Sequence, residues 1–281
     1  MTNIAIRAEN LGKLYVRVQQ RGSRDLRQTV AETVGVLFRD FTFVTNRRSA
    51  PVNRPPRNRS VWAVRHVSIE IKRGDLVGIV GDNGGGKTTL LRMLSRITHP
   101  TEGYAEIRGQ VGTLLDVGAG FHGELTGREN VYLRGRILGM TGAEIKRKFE
   151  EVVAFAELEE LIDTPLKHYS SGMCVRLAFA VAAHQESEIL LVDEVLALVD
   201  PTFQKKCVEK MITAGREGRT VLFVSHELES IRQICRRGIV FAQGRVVYSG
   251  SASSAIDYYS SVSNSQPRDE TSAIGEILRG I

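Results

Sequence analysis

Cysteine is scarce in this chain of 281 residues: Cys174, Cys207 and Cys235 are the only three. They stand far apart, are odd in number and keep no metal-ligand spacing. That excludes a disulfide framework and a cysteine-held zinc site, and leaves three reduced thiols. No run approaches the roughly 20 consecutive apolar residues of a membrane-spanning helix. The opening "MTNIAIRAEN" lacks the apolar core of a secretory leader, so a chain that starts and stays in the cytosol is expected. No internal repeat is visible. Lysine is missing from one long stretch. Between Val16 and Ser60 there are ten arginines and three acids (Asp25, Glu32, Asp40), a net +7 against a chain total of +6. The rest of the chain therefore sums to −1. A basic balance spread evenly would hint at nucleic acid, whereas one confined to a segment points to a single docking surface.

What is present alternates. "NIAIRAENLGKLYV" reads as an edge strand and turn, and the pattern is then interrupted by residues 16–60. Within that interruption Leu26, Val30, Val34 and Leu37 keep helical spacing, and "NRRSAPVNRPPRNRS" reads as an exposed loop. Strand signals resume at "VWAVRHVSIEI" and continue through "DLVGIV" and the two short strands of "GYAEIRGQVGTLL". About forty helical residues follow from Thr126, broken by glycines at 135, 139 and 142. "EILLVDE", "TVLFVSHE", "RGIVFAQGR" and "VVYSG" are then short strands between helical stretches. Apolar strands alternating with helices give an α/β class with a mostly parallel sheet. The helical block, about 118–186, reads as a subdomain inserted into that core. Residues 1–260 form the expected main domain, and 261–281 a polar linker with a short amphipathic tail, "AIGEILRGI".

The stretch "GIVGDNGGGKTTLLRML" places Gly81, Gly84, Gly85 and Gly86 just before a lysine and two threonines. The spacing Gly81-x-x-x-x-Gly86-Lys87-Thr88 is that of a phosphate-binding loop, in the strand–turn–helix context it needs. A glycine-rich turn that only links two elements is the structural alternative. In the functional reading, backbone N–H groups from Gly84, Gly85, Gly86 through Thr89 cradle the β-phosphate, with Asp82 and Asn83 completing the loop. Lys87 brings charge to the β/γ-phosphates, and Thr88 offers its hydroxyl to Mg²⁺. About 105 residues on, "ILLVDE" ends a buried strand with Asp193 and Glu194 at its C-terminal end, where ligands bind in open α/β sheets. Asp193 would hold Mg²⁺ through water and Glu194 would polarise the attacking water. Two solvated acids at a strand end would be the bland reading. ATP and Mg²⁺ are the implied cofactors.

"KHYSSGMCVRLAFAVAAH" opens a helix with a Ser-Ser-Gly turn, about twenty residues before Asp193. This resembles the signature motif of ATP-binding-cassette (ABC) proteins, usually Leu-Ser-Gly-Gly-Gln. Here Tyr169, Ser170, Ser171, Gly172 and Met173 stand in those places, a departure at three of five. The resemblance implies a P-loop ABC-type ATPase core with an antiparallel β subdomain and an inserted helical subdomain. It implies that Ser170 and Gly172 of the signature turn Ser170, Ser171, Gly172 face the γ-phosphate of a partner copy, and that Asp200 in "LALVDP" lies on a loop crossing the dimer interface. His226 in "LFVSHE" matches the histidine that contacts the γ-phosphate. Tyr15 matches the aromatic that stacks on adenine, with Trp62 a rival. The family's glutamine before the helical subdomain is missing from "TLLDVGAGFHGELTGREN". Asp116 is the nearest polar residue there and a candidate metal contact.

"LLDVGAGFHGELTGREN", "YSSGMCVRLAFAVAAH" and "VDEVLALVDPTFQKKC" closely resemble ATP-binding subunits of bacterial polysaccharide exporters, those of O-antigen, capsule and teichoic acid. The resemblance covers roughly residues 5–260. It implies an ATPase that drives polysaccharide export. The partners it implies are a second copy, paired head to tail, and a separate membrane-spanning permease. Its place would be the cytoplasmic face of the bacterial inner membrane, as a peripheral subunit. Some O-antigen members carry a C-terminal carbohydrate-binding domain, and none is expected here. The alternatives are an exporter of a lipid or peptide, a non-hydrolysing nucleotide module, and a soluble ABC protein acting on nucleic acid or ribosomes. The last usually carries two cassettes or a long coiled-coil insertion. The arginine-rich insertion is expected to meet an anionic membrane surface or the permease. A solvated face is its bland alternative. Phe38, Phe41 and Phe43 give no regular aromatic–basic interleaving for nucleic acid, so no nucleic-acid partner is expected.

Overall fold

The computed structural model describes residues 3–17, 59–115, 120–194, 196 and 199–265. Most of the arginine-rich insertion, Asp116 and the tail beyond 265 lie outside the described residues. The chain forms a larger unit, Met1–Lys13 with Ala63–Ile281, and a smaller one, Leu14–Trp62.

Six strands make the main sheet of the larger unit. They are β3 (Leu76–Val80), β5 (Val111–Leu114), β6 (Ile189–Asp193), β7 (Thr220–Val224), β8 (Arg237–Ala242) and β9 (Arg245–Ser251). Their order is β5-β6-β7-β3-β8-β9, parallel throughout except for the β8–β9 hairpin. Three of the four inner strands, LVGIV, ILLVD and TVLFV, are buried at every residue. Unbroken apolar runs are what a parallel strand covered on both faces requires. A smaller sheet runs β2 (Arg59–Lys72), β1 (Ile4–Arg17), β4 (Glu102–Ile107). The segment read as an edge strand is therefore the middle one. Its bonds to β4 come from about a hundred residues away (Ile6 opposite Ile107), which the local alternation could not reveal.

Three helices build the inserted helical block: α2 (Gly127–Ile137), α3 (Gly142–Ala156) and α4 (Ser171–Ala183). α1 (Lys87–Leu94) follows the phosphate loop. α5 (Pro201–Arg216), α6 (Leu228–Ile234) and α7 (Ala252–Ser265) wrap the sheet. The block has its own core around Val131, Ile145, Phe149, Leu177 and Val181. Gly135, expected to break the helical run, lies inside α2. A side chain there would collide with Ile145 of α3, so its smallness sets the packing of the two helices. The run ends instead at Gly139, whose φ is 88°. α7 extends through Ser265 and covers the first residues of the segment read as a linker.

α2 starts at a capping box in which Thr126 accepts from Glu129 N–H and Glu129 reaches back to Thr126 N–H. One turn later Asn130, fully buried, fixes the loop before it. Its Oδ1 accepts from His122 N–H at 2.8 Å, and its Nδ2 donates to the carbonyls of His122, Leu125 and Thr126. Asn130→Ala would leave buried loop groups without partners. It is expected to cost about 2–3 kcal/mol of stability. Urea unfolding of the two proteins checks this, and a loss below about 0.5 kcal/mol, the scale of an ordinary surface change, would contradict it.

Candidate nucleotide site

The sheet order brings the chemistry together. β7 lies between β3 and β6, and the phosphate loop follows β3, Asp193 ends β6 and His226 follows β7. All three leave the same carboxyl edge of the parallel sheet, the usual place for a ligand in this class of fold.

The phosphate loop surrounds a cavity of about 200 Å³ lined by residues 83–89, Ala63 and Glu194. Gly86, with φ 101°, caps α1, and a Cβ on it would strike the Ala63 carbonyl oxygen. Gly81 is equally confined, by the Phe241 carbonyl oxygen. Only glycine fits at these two places, so the glycines are required by packing as well as by chemistry. The first N–H groups of α1, from Lys87 to Thr89, have no partner within the helix and are oriented for an anion. Gly85 N–H is already engaged by Asp82 O at 3.1 Å. Gly81 and Asp82 do not line the cavity. Their carbonyls are held by Lys87 Nζ, at 2.7 and 2.9 Å.

Lys87 is 4% exposed. Burial lowers its pKa, and the charges of Glu194, Asp193 and Asp82 oppose that shift. Its Nζ lies 3.7 Å from Glu194 Oε1. Asp193 is buried, and burial raises its carboxyl above the usual range against a hydrogen bond from Thr88. Asp193 Oδ1 has no hydrogen-bond partner. An orphaned buried carboxylate oxygen beside a threonine hydroxyl is a hard-oxygen donor set, and it fits Mg²⁺.

Glu194 adopts φ 49°, in the left-handed region. Its N–H donates to Val224 O at 3.0 Å, which ties the residue to the end of β7. The side chain lies 2.7 Å from His226 Nε2. His226, expected near the γ-phosphate, thus sits directly on the expected base.

The Ser-Ser-Gly turn is the start of α4. Ser170 caps it by accepting from Met173 N–H at 3.2 Å, and Ser170 N–H faces Met173 Sδ at 3.5 Å. Met173, in the place of the family's glutamine, thus keeps a capping box with a thioether. Over Gly172 the space is open, its nearest neighbour for a Cβ being Ser170 Oγ at 3.9 Å. Ser170, Ser171 and Gly172 are not among the residues that line the phosphate-loop cavity. Asp200 caps α5, its Oδ1 accepting from Phe203 N–H at 3.0 Å and Thr202 N–H at 3.1 Å. The Phe203 N–H holds its carboxyl below the usual range. Tyr15 is exposed at the end of β1 and belongs, like Trp62, to the smaller unit. Asp116 lies outside the described residues.

Tyr259 of α7 was not singled out in the sequence. Its hydroxyl donates to Asp82 Oδ1 at 3.0 Å, so the last described helix touches the phosphate loop. A partner 177 positions away carries no local signal.

A phosphate loop, an Asp-Glu strand end and a histidine at the next strand end define a nucleoside-triphosphate-binding α/β core. The profile of ABC transporters matches residues 64–197. The chain belongs to the ABC transporter ATP-binding family. It is 47% identical over 175 residues to the O-antigen export system ATP-binding protein RfbB of Myxococcus xanthus, covering 62% of this chain and 40% of that protein. A protein of the same description from Klebsiella pneumoniae is 40% identical over 72% of this chain and 82% of its own length. The teichoic acids export ATP-binding protein TagH of Enterococcus faecalis is 43% identical over 63% of this chain and 39% of its own length. The matched part thus spans less than half of the Myxococcus and Enterococcus proteins. Among solved structures, a dimeric ATP-binding cassette in a post-hydrolysis state bound to ADP and Pi is similar. It has a TM-score of 0.66 at 22% identity, over 88% of this chain and 98% of that one.

Proposed function

We propose that the chain is the ATP-hydrolysing subunit of an exporter that moves a lipid-linked polysaccharide across the cytoplasmic membrane. The observation that carries this reading is the placement of Glu194, in a left-handed backbone, against His226 and beside Lys87 and Asp193. The likeness to O-antigen and teichoic acid export proteins supports the choice of cargo.

ATP would be held by the backbone N–H groups of Gly84 and of 86–89, Gly85 N–H being engaged by Asp82 O, and by Lys87, whose Nζ would turn from the loop carbonyls to the β/γ-phosphates. Thr88 and Asp193 would hold Mg²⁺, which neutralises phosphate charge and orients the terminal phosphoryl group. Glu194 would accept the proton of the attacking water, with His226 fixing its carboxylate. Since Ser170 and Gly172 do not line their own chain's cavity, a second copy paired head to tail would supply them to the γ-phosphate. Asp200, which caps its own helix, would also lie on the dimer interface. No helix among the described residues is long and apolar enough to cross a membrane. A separate permease would provide the path, and the 118–186 helical block would dock on it. The arginine-rich insertion would lie against anionic lipid head groups.

Deleting the gene in its own host tests the cargo. Surface polysaccharide is expected to disappear while its lipid-linked precursor accumulates inside. A tagged copy is expected to restore export and to carry a multi-span membrane protein through purification. Unchanged surface polysaccharide in the deletion strain would overturn the choice of cargo.

A further inference from the structure

α3 ends at Glu157, with φ 56° and ψ 51°. A helix C-terminus of this left-handed kind favours glycine, because any side chain strains the backbone there. The chain places a glutamate at this point, and its two carboxylate oxygens reach two other helices. Oε2 pairs with Arg176 on the second turn of α4, and Oε1 with Lys206 on the second turn of α5. Just beneath, the same three helices meet through an aromatic trio. Phe155 of α3 stacks on Phe179 of α4, with centroids 6.0 Å apart, and meets Phe203 of α5 edge-on at 5.4 Å. The Arg176 guanidinium lies over the Phe203 ring at 4.9 Å and joins the two layers.

Stability does not account for the glutamate. The Glu157–Lys206 pair is 43% and 40% exposed and contributes little. The pair with Arg176, itself 20% exposed and also stacked on Phe203, still has its carboxylate end open to water. Glycine would relieve the backbone and forfeit only those weak pairs. The two helices that Glu157 grips are notable for what stands at their starts. α4 begins at Ser170 and Gly172, and α5 at Asp200. Arg176 also acts electrostatically on Asp200, holding its carboxyl down alongside the Phe203 N–H.

We propose that Glu157 is a positioning residue that locks the signature helix α4 and the interface helix α5 into one body through Arg176 and Lys206. Ser170 and Gly172 then move with Asp200 when two copies close on ATP. This rests on the dimeric, head-to-tail reading of the site given above. Glu157 touches neither nucleotide nor water, and acts only by fixing where the partner's γ-phosphate contacts stand.

Glu157→Gly separates the two roles. A positioning role predicts a melting temperature no lower than the parent's, and ATP affinity unchanged in the monomer, since the phosphate loop is untouched. It also predicts kcat reduced about tenfold, the size of a coupling lost between packed elements. In a Glu194→Gln background, ATP-dependent dimerisation is expected to weaken by a similar factor. Glu157→Gln, which keeps the shape and loses the charge, is expected to fall between parent and glycine variant. A glycine variant with parental kcat and dimerisation overturns the inference. So does one that melts below the parent, because the glutamate would then be a structural cap. A parent chain that hydrolyses ATP only as a monomer overturns the dimeric reading itself, whatever Glu157 does.

Discussion

Glu194→Gln is expected to slow ATP hydrolysis by roughly 10²–10⁴-fold, the usual cost of losing a general base, while ATP still binds. The backbone states what the side chain is for. A non-glycine residue at φ 49° costs on the order of 1–3 kcal/mol and persists only where its surroundings hold it. Here they do, through Glu194 N–H on Val224 O, His226 at 2.7 Å and Lys87 at 3.7 Å. The strain aims a carboxylate into the mouth of the phosphate loop. Glutamine keeps the volume and the contact with His226 but cannot take a proton from water. With cleavage blocked, ATP is expected to hold two copies together long enough to be seen as a dimer in gel filtration. Glu194→Gly, which relieves the backbone, should melt no lower than the parent and hydrolyse no faster than the glutamine variant. Phosphate release at the parental rate from Glu194→Gln would remove the residue from this role.

The parts of the site legible in the sequence were those made by neighbouring residues. Gly81 to Thr89 form a strand–turn–helix whose chemistry is local, and Asp193 and Glu194 follow an apolar run that could only be a buried strand. The cap at Ser170 was also local, although the thioether of Met173 in its reciprocal place was not foreseen. What escaped depends on distant pairing. β1 became a middle strand because β4 reaches it from about a hundred residues away, and no alternation pattern encodes a neighbour. Gly135 looked like a helix break because a glycine's cost inside a helix is local, whereas the benefit here comes from Ile145 on another helix. The hydroxyl of Tyr259 on Asp82, and the grip of Glu157 on two helices, are likewise products of packing. Left-handed backbone at Glu157 and Glu194 has no signature in residue type, since a glutamate there runs against the preference of the conformation.

Lys87→Ala is expected to weaken ATP binding by about a hundredfold to a thousandfold, a loss of binding and not of turnover alone. Lys87 is nearly enclosed, and its ammonium serves four groups at once. It holds the Gly81 and Asp82 carbonyls at 2.7 and 2.9 Å, lies 3.7 Å from Glu194 and offsets the buried charge of Asp193. Alanine removes all of this together. Two loop carbonyls lose a charged donor, and such hydrogen bonds contribute about 1.5–3 kcal/mol each. Asp193 and Glu194, adjacent in sequence, are left without the cation between them and repel an incoming triphosphate. Burial already raises the Asp193 carboxyl, and losing the lysine raises it further, so metal binding competes with a proton more strongly as pH falls. The affinity of the parent for ATP should therefore depend less on pH than that of the variant between neutral and mildly acidic conditions. Calorimetric titration with ATP and Mg²⁺ at two pH values measures both effects. An affinity equal to the parent's would mean that the glycine-rich stretch is only a turn between β3 and α1, held in place by the collisions that exclude any other residue at Gly81 and Gly86.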